Sequence, residues 1–373
     1  MERRKVNIME TKETLSSMRF YQKEKYAAVD AKFEAQKIAF APFVFQASMA
    51  LRDLGILKII EDAGNDGISQ EDIVSKLTIS NYGVRILVEA GLGMGILIFN
   101  DGKYSITRVG YYILNDSMTI ANMDFVQDIN YQGFFHLKES IETGKPKGLH
   151  VFGEQYETFY QALSDLPEKS KQSWLAFDHF YSDDSFSKVL PIVFKFNPKK
   201  ILDVGGNTGK WSLSCVHHNA DVQMTLVDLP QQIAMAKENI ATYTAGNRIG
   251  YYAIDILKPE TGLPTGYDIV WMSQFLDCFS EDEIVGILTK ASSALNADGK
   301  LIIMETFWDR QKFEAASFCL QQTSLYFTCI ANGNSQMYHS DVFIRCVEKA
   351  GFIIEEEINH VGISHTVLIC KNK

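Results

Sequence analysis

The stretch that most restricts how this chain can fold is "KILDVGGNTGKW", residues 200–211. An apolar, β-favouring run enters a turn holding Gly205, Gly206 and Gly209, and a helical pattern begins straight after. Glycine permits the tight turn and a close approach, and the following helix N-terminus faces whatever lies beyond the strand. A helix packed tightly on a strand also selects glycine, so the turn alone does not define a ligand site. The next segment adds the constraint. "VQMTLVDLP" is a second strand that ends in Asp228 and is closed by Pro230. An acid at that place can accept both hydroxyls of a ribose.

The alternation continues downstream. "IGYYAIDI" reads as a third strand ending near Asp255, "YDIVWMSQF" as a fourth and "GKLIIMET" as a fifth, with helical patterns between them. "GFIIEEEIN" and "SHTVLICKN" close the chain as two neighbouring strands, which suggests a reversed strand at the sheet edge. Strand–helix alternation of this kind implies an α/β, doubly wound parallel sheet that binds ligands at the carboxyl ends of its strands. Asp255 offers an acceptor for an adenine amine. Together the turn, Asp228 and Asp255 favour an adenosine-containing cofactor. "GGNTGK" lacks the GxGxxG spacing of a nicotinamide site, and the phosphate-loop pattern GxxxxGK[ST] is absent.

The first half is built differently. Residues 1–38 read as a helical lead-in rich in Lys and Glu. Residues 39–115 carry a helix over "FVFQASMALRDLGILKIIEDAG" that ends at Gly64, and a short helix opened by Ser69 and Asp72 in capping positions. A helix over Asn81 to Met94 follows, then a hairpin around Asn100-Asp101-Gly102. That is a winged-helix pattern, and a DNA-reading regulator is the rival it raises. The unit has six Lys and Arg against eight Asp and Glu, and its would-be recognition helix carries only Arg85 as a cation. A DNA reader concentrates Lys and Arg there, so dimerisation is the better expectation. Residues 116–195 read as an aromatic-rich helical connector lining a substrate pocket, with residues 196–373 as the catalytic domain.

Charge and cysteine usage bound the setting. A net charge of −10 and a pI near 5.4 repel phosphate backbones and anionic membranes. The six Cys show neither CxxC pairing nor metal-ligand spacing with His, as in a reducing cytosol. "MERRKVNIMETKETLSSMRF" has no apolar core, so it is no signal peptide, and no apolar run is long enough to span a bilayer. A cytoplasmic, metal-free protein without nucleic-acid or membrane partners is expected.

"LDVGGNTG", "LVDLP", the later Asp255 and "IIMET" resemble the S-adenosylmethionine-dependent O-methyltransferases of the caffeic-acid and hydroxyindole type, whose pattern bacterial polyketide and phenol methyltransferases share. The resemblance runs from about residue 40 onward, "DGKYSIT" of the hairpin included. It implies a Rossmann-like methyltransferase sheet with an N-terminal winged-helix dimerisation domain, S-adenosyl-L-methionine as cofactor, a small aromatic or polyketide-like acceptor and a homodimer. Gly205 would lie along the methionine portion, Asp228 on the ribose, and Asp255 with Ile256 at the adenine, with Gly206, Asn207, Gly209 and Leu229 as further cofactor-binding residues. Ser273 stands where the family has a Lys, beside Gln274. Trp174, Phe177, Phe180 and Met337 are candidates for the acceptor wall.

The segment "MSQFLDCFSEDE", residues 272–283, is where the resemblance departs. Ser280 and Glu283 fit a capping box, so Glu281, Asp282 and Glu283 belong to a helix start that suits negative charge. Asp277 lies before that cap, at the carboxyl end of the fourth strand. The family reads His-Asp-Trp-Ser-Asp-Glu here, and its His takes the proton of the substrate hydroxyl. Asp277 occupies the place of that His, Glu305 matches a flanking acid, and Met337 replaces a second one. Asp277 and Glu305 are therefore the catalytic candidates: Asp277 is a carboxylate base with a raised pKa, or only a hydrogen-bond acceptor for loop amides, or part of a protein that binds cofactor without turnover. His339 is another candidate base, in a context that also reads as a helix cap.

Overall fold

A computed structural model describes residues 17–163 and 165–373. Residues 1–16 of the helical lead-in lie outside the described residues. The chain divides into two units, Lys23–Asp128 on one side and Met1–Gln22 with Ile129–Lys373 on the other. That division differs from boundaries at 38, 115 and 195. The long helix Glu168–Phe194 belongs with the sheet, because Val189 and Val193 sit in the same buried cluster as Ile201 and Trp271.

In the smaller unit the pattern expected as one helix over residues 43–64 is two, Ala41–Asp53 and Ile56–Asp62. Gly55 between them has φ +78 and open space around its missing side chain, so backbone conformation and not crowding puts glycine there. Ser69 and Ser80 accept the amides of Asp72 and Gly83, which starts the helices Gln70–Ser75 and Asn81–Gly93. Strands β1 (Leu97–Asn100) and β2 (Lys103–Ile106) pair antiparallel through Asn100 and Lys103. Positive φ at Asp101 and Gly102 gives the two-residue turn that matches strand twist. Leu51, Leu57, Ile60, Ile73, Val84 and Val88 close the core of this unit.

The larger unit is built on a seven-stranded sheet. Its strands are β3 (Lys200–Val204), β4 (Gln223–Asp228), β5 (Ile249–Ala253), β6 (Tyr267–Ser273), β7 (Leu295–Glu305), β8 (Phe352–Val361) and β9 (His365–Asn372). Their order is β5-β4-β3-β6-β7-β9-β8. The first five run parallel, while β9 is antiparallel to both β7 and β8. The reversed strand therefore sits one place in from the edge, and β8 is the edge. Successive residues serve opposite faces: Val270 and Met272 pack with Leu202 and Ile284, whereas Ile269 and Trp271 pack with Ile201 and Trp211. The Trp211 and Trp271 rings stack at 4.4 Å. From β3 the chain steps outward to β4 and β5, then returns to β6 on the other side. This reversal opens a crevice beyond the carboxyl ends of β3 and β6. No helix among the described residues is long and apolar enough to cross a membrane.

Candidate active site

The glycine turn after β3 does three separate jobs. Gly205 has φ +76, its amide donates to the Val227 carbonyl at 2.8 Å, and a Cβ there would meet the Phe275 ring at 2.2 Å. A Cβ on Gly206 would meet Leu226 at 2.7 Å, and one on Gly209 would meet Ile240 at 2.5 Å. Gly206 and Gly209 thus allow close helix–strand packing, while Gly205 faces the crevice. Asn207, at φ +47, donates its amide to Asp228 Oδ2 at 2.9 Å and its side-chain N–H to Asp178 at 3.2 Å. The Leu229 amide holds the other Asp228 oxygen at 2.7 Å. Burial pushes the Asp228 carboxyl up to about 6 although both amides oppose it. Asp203, one strand position behind the turn, accepts from Ser212 at 2.6 Å and is raised to about 7 by burial.

A cavity of about 430 Å³ lies over these groups. Gly205, Asn207, Asp228, Leu229, Asp255, Ile256 and Gln274 line one end of it. Asp255 accepts the Leu257 amide at 3.1 Å, and Lys290 braces the same loop by donating to the Ile256 carbonyl at 2.6 Å. Ser273 and Gly206 line instead a smaller adjoining cavity of about 80 Å³, which Lys210 and His179 share. Gln274 reaches both cavities. Gly209 lines neither.

At the other end stand Tyr160, Trp174, Phe177, Tyr326, Met337 and the turn bearing Asp277 and Cys278. Phe180 is half-buried and does not line the cavity. It lies about 240° around the helix from Trp174, whereas Phe177 and Asp178 stay on the facing side. Trp174 donates its ring N–H to the Tyr326 hydroxyl at 3.2 Å. The Thr306 hydroxyl donates to Met337 Sδ at 3.4 Å. His339 caps the helix Ser340–Lys349 by accepting the Asp341 amide at 3.1 Å, and it does not line the cavity.

Asp277 sits in a single 3-10 turn, Leu276–Cys278, between β6 and the helix Glu281–Ala294. The capping box that starts this helix is present: Glu283 accepts the Ser280 amide at 2.8 Å and its hydroxyl at 2.7 Å. Asp277 is 5% exposed, and the Cys278 thiol donates to its Oδ1 at 3.5 Å. Tyr160 donates in turn to that sulfur at 2.9 Å. Burial, then the charge of Asp178, raises the Asp277 carboxyl to about 7, with the Cys278 contact opposing. Glu305 stays behind the turn and does not line the cavity. Its Oε1 accepts the amides of Phe275 at 3.0 Å and Leu276 at 2.9 Å. Burial and the Asp277 charge hold Glu305 well above the usual carboxylate range. From the end of β7 it holds the neighbouring turn by its amides. Neither Asp178 nor the link from Tyr160 to Cys278 has a signal in the sequence. That link joins residues far apart in the chain, and only the folded helices bring it about.

Two known families match the chain: a Dimerisation2-like domain over residues 32–104 and an O-methyltransferase domain over residues 134–353. The chain belongs to the O-methyltransferase family. L-Tyrosine C(3)-methyltransferase of Streptomyces lavendulae is 23% identical over 84% of this chain and 85% of its own length. The 3-hydroxy-5-methyl-1-naphthoate 3-O-methyltransferase of Streptomyces sahachiroi is 25% identical over 65% of this chain and 68% of its own. Among solved structures, the apo form of the S-adenosylmethionine-dependent methyltransferase SibL has a TM-score of 0.68 at 23% identity, covering 90% of this chain and 98% of that one. This family member is an S-adenosylmethionine-dependent methyltransferase for small acceptors. Its residues suit that cofactor. Asn207 Oδ1 and Gln274 Oε1 are buried acceptors with no hydrogen-bond partner, and both residues line the cavity together with Gly205. Such atoms are costly unless a ligand donates to them.

Proposed function

We propose that the chain methylates the hydroxyl of a small phenolic acceptor, with Asp277 as the base. The observation that carries this reading is the Asp277 carboxyl on the cavity wall, held at about 7 by burial. A base titrating near the working pH combines a useful ionised fraction with real proton affinity, and a well-placed one contributes roughly 10²–10⁴-fold. A phenol, with a pKa near 10, needs that help.

Bound S-adenosylmethionine supplies an electrophilic methyl on a sulfonium that requires no activation. Asp228 and Leu229 would hold the ribose end, Asp255 and Ile256 the adenine, and Gly205, Asn207 and Gln274 the methionine portion. Trp174, Phe177, Tyr326 and Met337 would sandwich the acceptor ring and keep water out. Asp277 would take the phenol proton on one of its oxygens and release it to solvent after product leaves. Glu305 fixes the turn that aims Asp277, and the Cys278 thiol steadies its ionised form.

The same reading includes a cytoplasmic homodimer that binds neither nucleic acid nor membrane. The helix Ala28–Ala39 buries none of its residues within the chain, and Val29 and Ile38 are 81% and 76% exposed. Large apolar side chains left exposed along a helix in this way call for a second copy, and the Dimerisation2-like match over residues 32–104 supports it. All six Cys are free thiols, as a reducing compartment maintains them. The test is mass-spectrometric detection of methyl transfer to simple phenols by wild type and Asp277→Asn. Absence of an O-methylated phenol, or equal rates for both proteins, refutes the reading.

A further inference from the structure

One wall of the larger cavity is a thinly held helix. Glu314–Tyr326 presents Cys319, Leu320, Thr323 and Tyr326 to the cavity. Of its thirteen residues only Ser317, Leu320 and Tyr326 are buried, and Phe318 is 58% exposed. Phe313 stands at its cap position without a side-chain acceptor, and beyond Tyr326 the chain runs into the wide turn Phe327–Ala331. A helix with so little buried surface and no cap opens easily unless something else holds it.

The hold comes from the turn Ser17–Tyr21. It belongs with the larger unit, although the residues from Lys23 onward belong to the smaller one. Ser17 is fully buried, and its hydroxyl donates to the Gln311 carbonyl and accepts the Gln311 amide, both at 2.8 Å. The Gln311 side chain donates in turn to the Phe307 carbonyl at 2.8 Å and the Ser364 carbonyl at 3.0 Å. This ties the turn to the chain just past β7 and to the bend between β8 and β9. The Tyr21 hydroxyl shares its proton between Ser317 Oγ at 2.9 Å and Gln321 Oε1 at 3.1 Å, and its ring meets Trp308 edge-on at 6.3 Å. Ser317 passes the contact on by donating to the Trp308 carbonyl at 2.7 Å. Cys319, Thr323 and Tyr326 lie about half a turn round the helix from Ser317. The turn therefore grips the outer flank of a helix whose inner flank is the cavity wall.

We infer that Ser17 and Tyr21 are positioning residues for the acceptor, which act by holding the helix Glu314–Tyr326 as a fixed wall. An acceptor that meets a wall already in place loses no affinity to ordering it, so its binding depends on a segment that does not touch it. Gly205, Asp228 and Asp255 follow β3, β4 and β5 and take no part in this contact, so cofactor affinity is independent of it. The inference rests on the Tyr326 end of the cavity being the acceptor site.

The test compares wild type with Tyr21→Phe and with the double variant Ser17→Ala, Tyr21→Ala, each as the full chain loaded with S-adenosylhomocysteine. Cys319 is half-buried on the inner flank of the helix. Its alkylation by iodoacetamide, followed by peptide mass spectrometry, reports opening of the wall without any acceptor. The double variant should label Cys319 about tenfold faster than wild type. The buried Cys215, Cys346 and Cys370 should stay as slow as before, and S-adenosylhomocysteine affinity should not change. For a phenol that wild type methylates, KM should rise about tenfold while kcat changes by less than about threefold. Tyr21→Phe keeps the ring beside Trp308 and should fall between the two. Wild-type labelling of Cys319 in the double variant, faster labelling of all four thiols together, or a loss of kcat with KM unchanged overturns the inference. If wild type methylates no phenol, the phenol reading fails, and the Cys319 rates still decide whether the turn holds the wall.

Discussion

Replacing Asp277 by Asn should slow the enzyme and stabilise it, and the second effect should depend on pH. The carboxyl is held at about 7 against an ordinary 3.8, mainly by burial. At about 1.4 kcal/mol per pKa unit, keeping it ionised above neutrality costs about 4 kcal/mol of folding free energy. Relaxation and water entry reduce this to about 2 kcal/mol. A carboxyl raised in the folded state loses stability as pH climbs from its unfolded value near 4 up through 7, so the cost is absent in acid and complete by pH 8. Asparagine has the shape without the charge. Its gain in Tm should be smallest near pH 4 and reach roughly 4–8 °C at pH 8 for a unit of this size. Methyl transfer to a phenol should meanwhile fall by about 10²-fold or more. The wild-type rate should rise about tenfold per pH unit below 7 and level off above it, and the variant should lose that slope. Calorimetric unfolding and a pH–rate profile on the same two proteins give both readouts. A variant with near-wild-type rate removes the base role, and one that is less stable at pH 8 removes the burial argument.

Asp228→Ala should weaken S-adenosylhomocysteine binding by about 1.5–3 kcal/mol, the scale for a charged hydrogen-bonding group; unchanged affinity in a folded variant would eliminate the ribose assignment. Cys278→Ala removes a donor to the ionised Asp277, so the acid limb of the pH–rate profile should move to higher pH. A limb that stays in place or moves down contradicts that contact. Phe33→Glu with Ile38→Glu should convert a dimer to a monomer in light scattering, and a wild-type monomer at micromolar concentration would remove the dimer.

What could be read from the sequence was chemistry confined to a few neighbouring residues. The strand, glycine turn and helix at residues 200–211 depend on φ values and close packing within one loop, and Asp228 follows from the same local logic. Caps at Ser69, Ser280 and His339 and the turn at Asp101-Gly102 were legible because each is decided within about four residues. Gly55 was visible, yet a single glycine inside an apolar helical pattern is often tolerated, and the split there needed the backbone. The position of β9 between β7 and β8 depends on how two closing strands return to the sheet, which periodicity does not encode. Phe180 shared its composition with Trp174 and Phe177 but not their side of the helix. Asp178, Tyr160 and Cys278 come to one cavity only through tertiary packing.

The acidic balance of the chain acquires a second meaning inside the fold. Asp203 is held by a serine hydroxyl, Asp228 and Glu305 by backbone amides, and Asp277 by a thiol. All of these donors are neutral. A neutral donor fixes where a carboxylate points and leaves its charge uncancelled, whereas a Lys or Arg partner would fix and neutralise it together. Each of the four carboxyls is accordingly raised. The strain of so many buried acids would be relieved by a ligand that brings positive charge, and the sulfonium of a bound cofactor would do so. Raised carboxyls and a fit for a cationic cofactor are then one electrostatic property of the site, since no Lys, Arg or His is among the described residues that line the larger cavity.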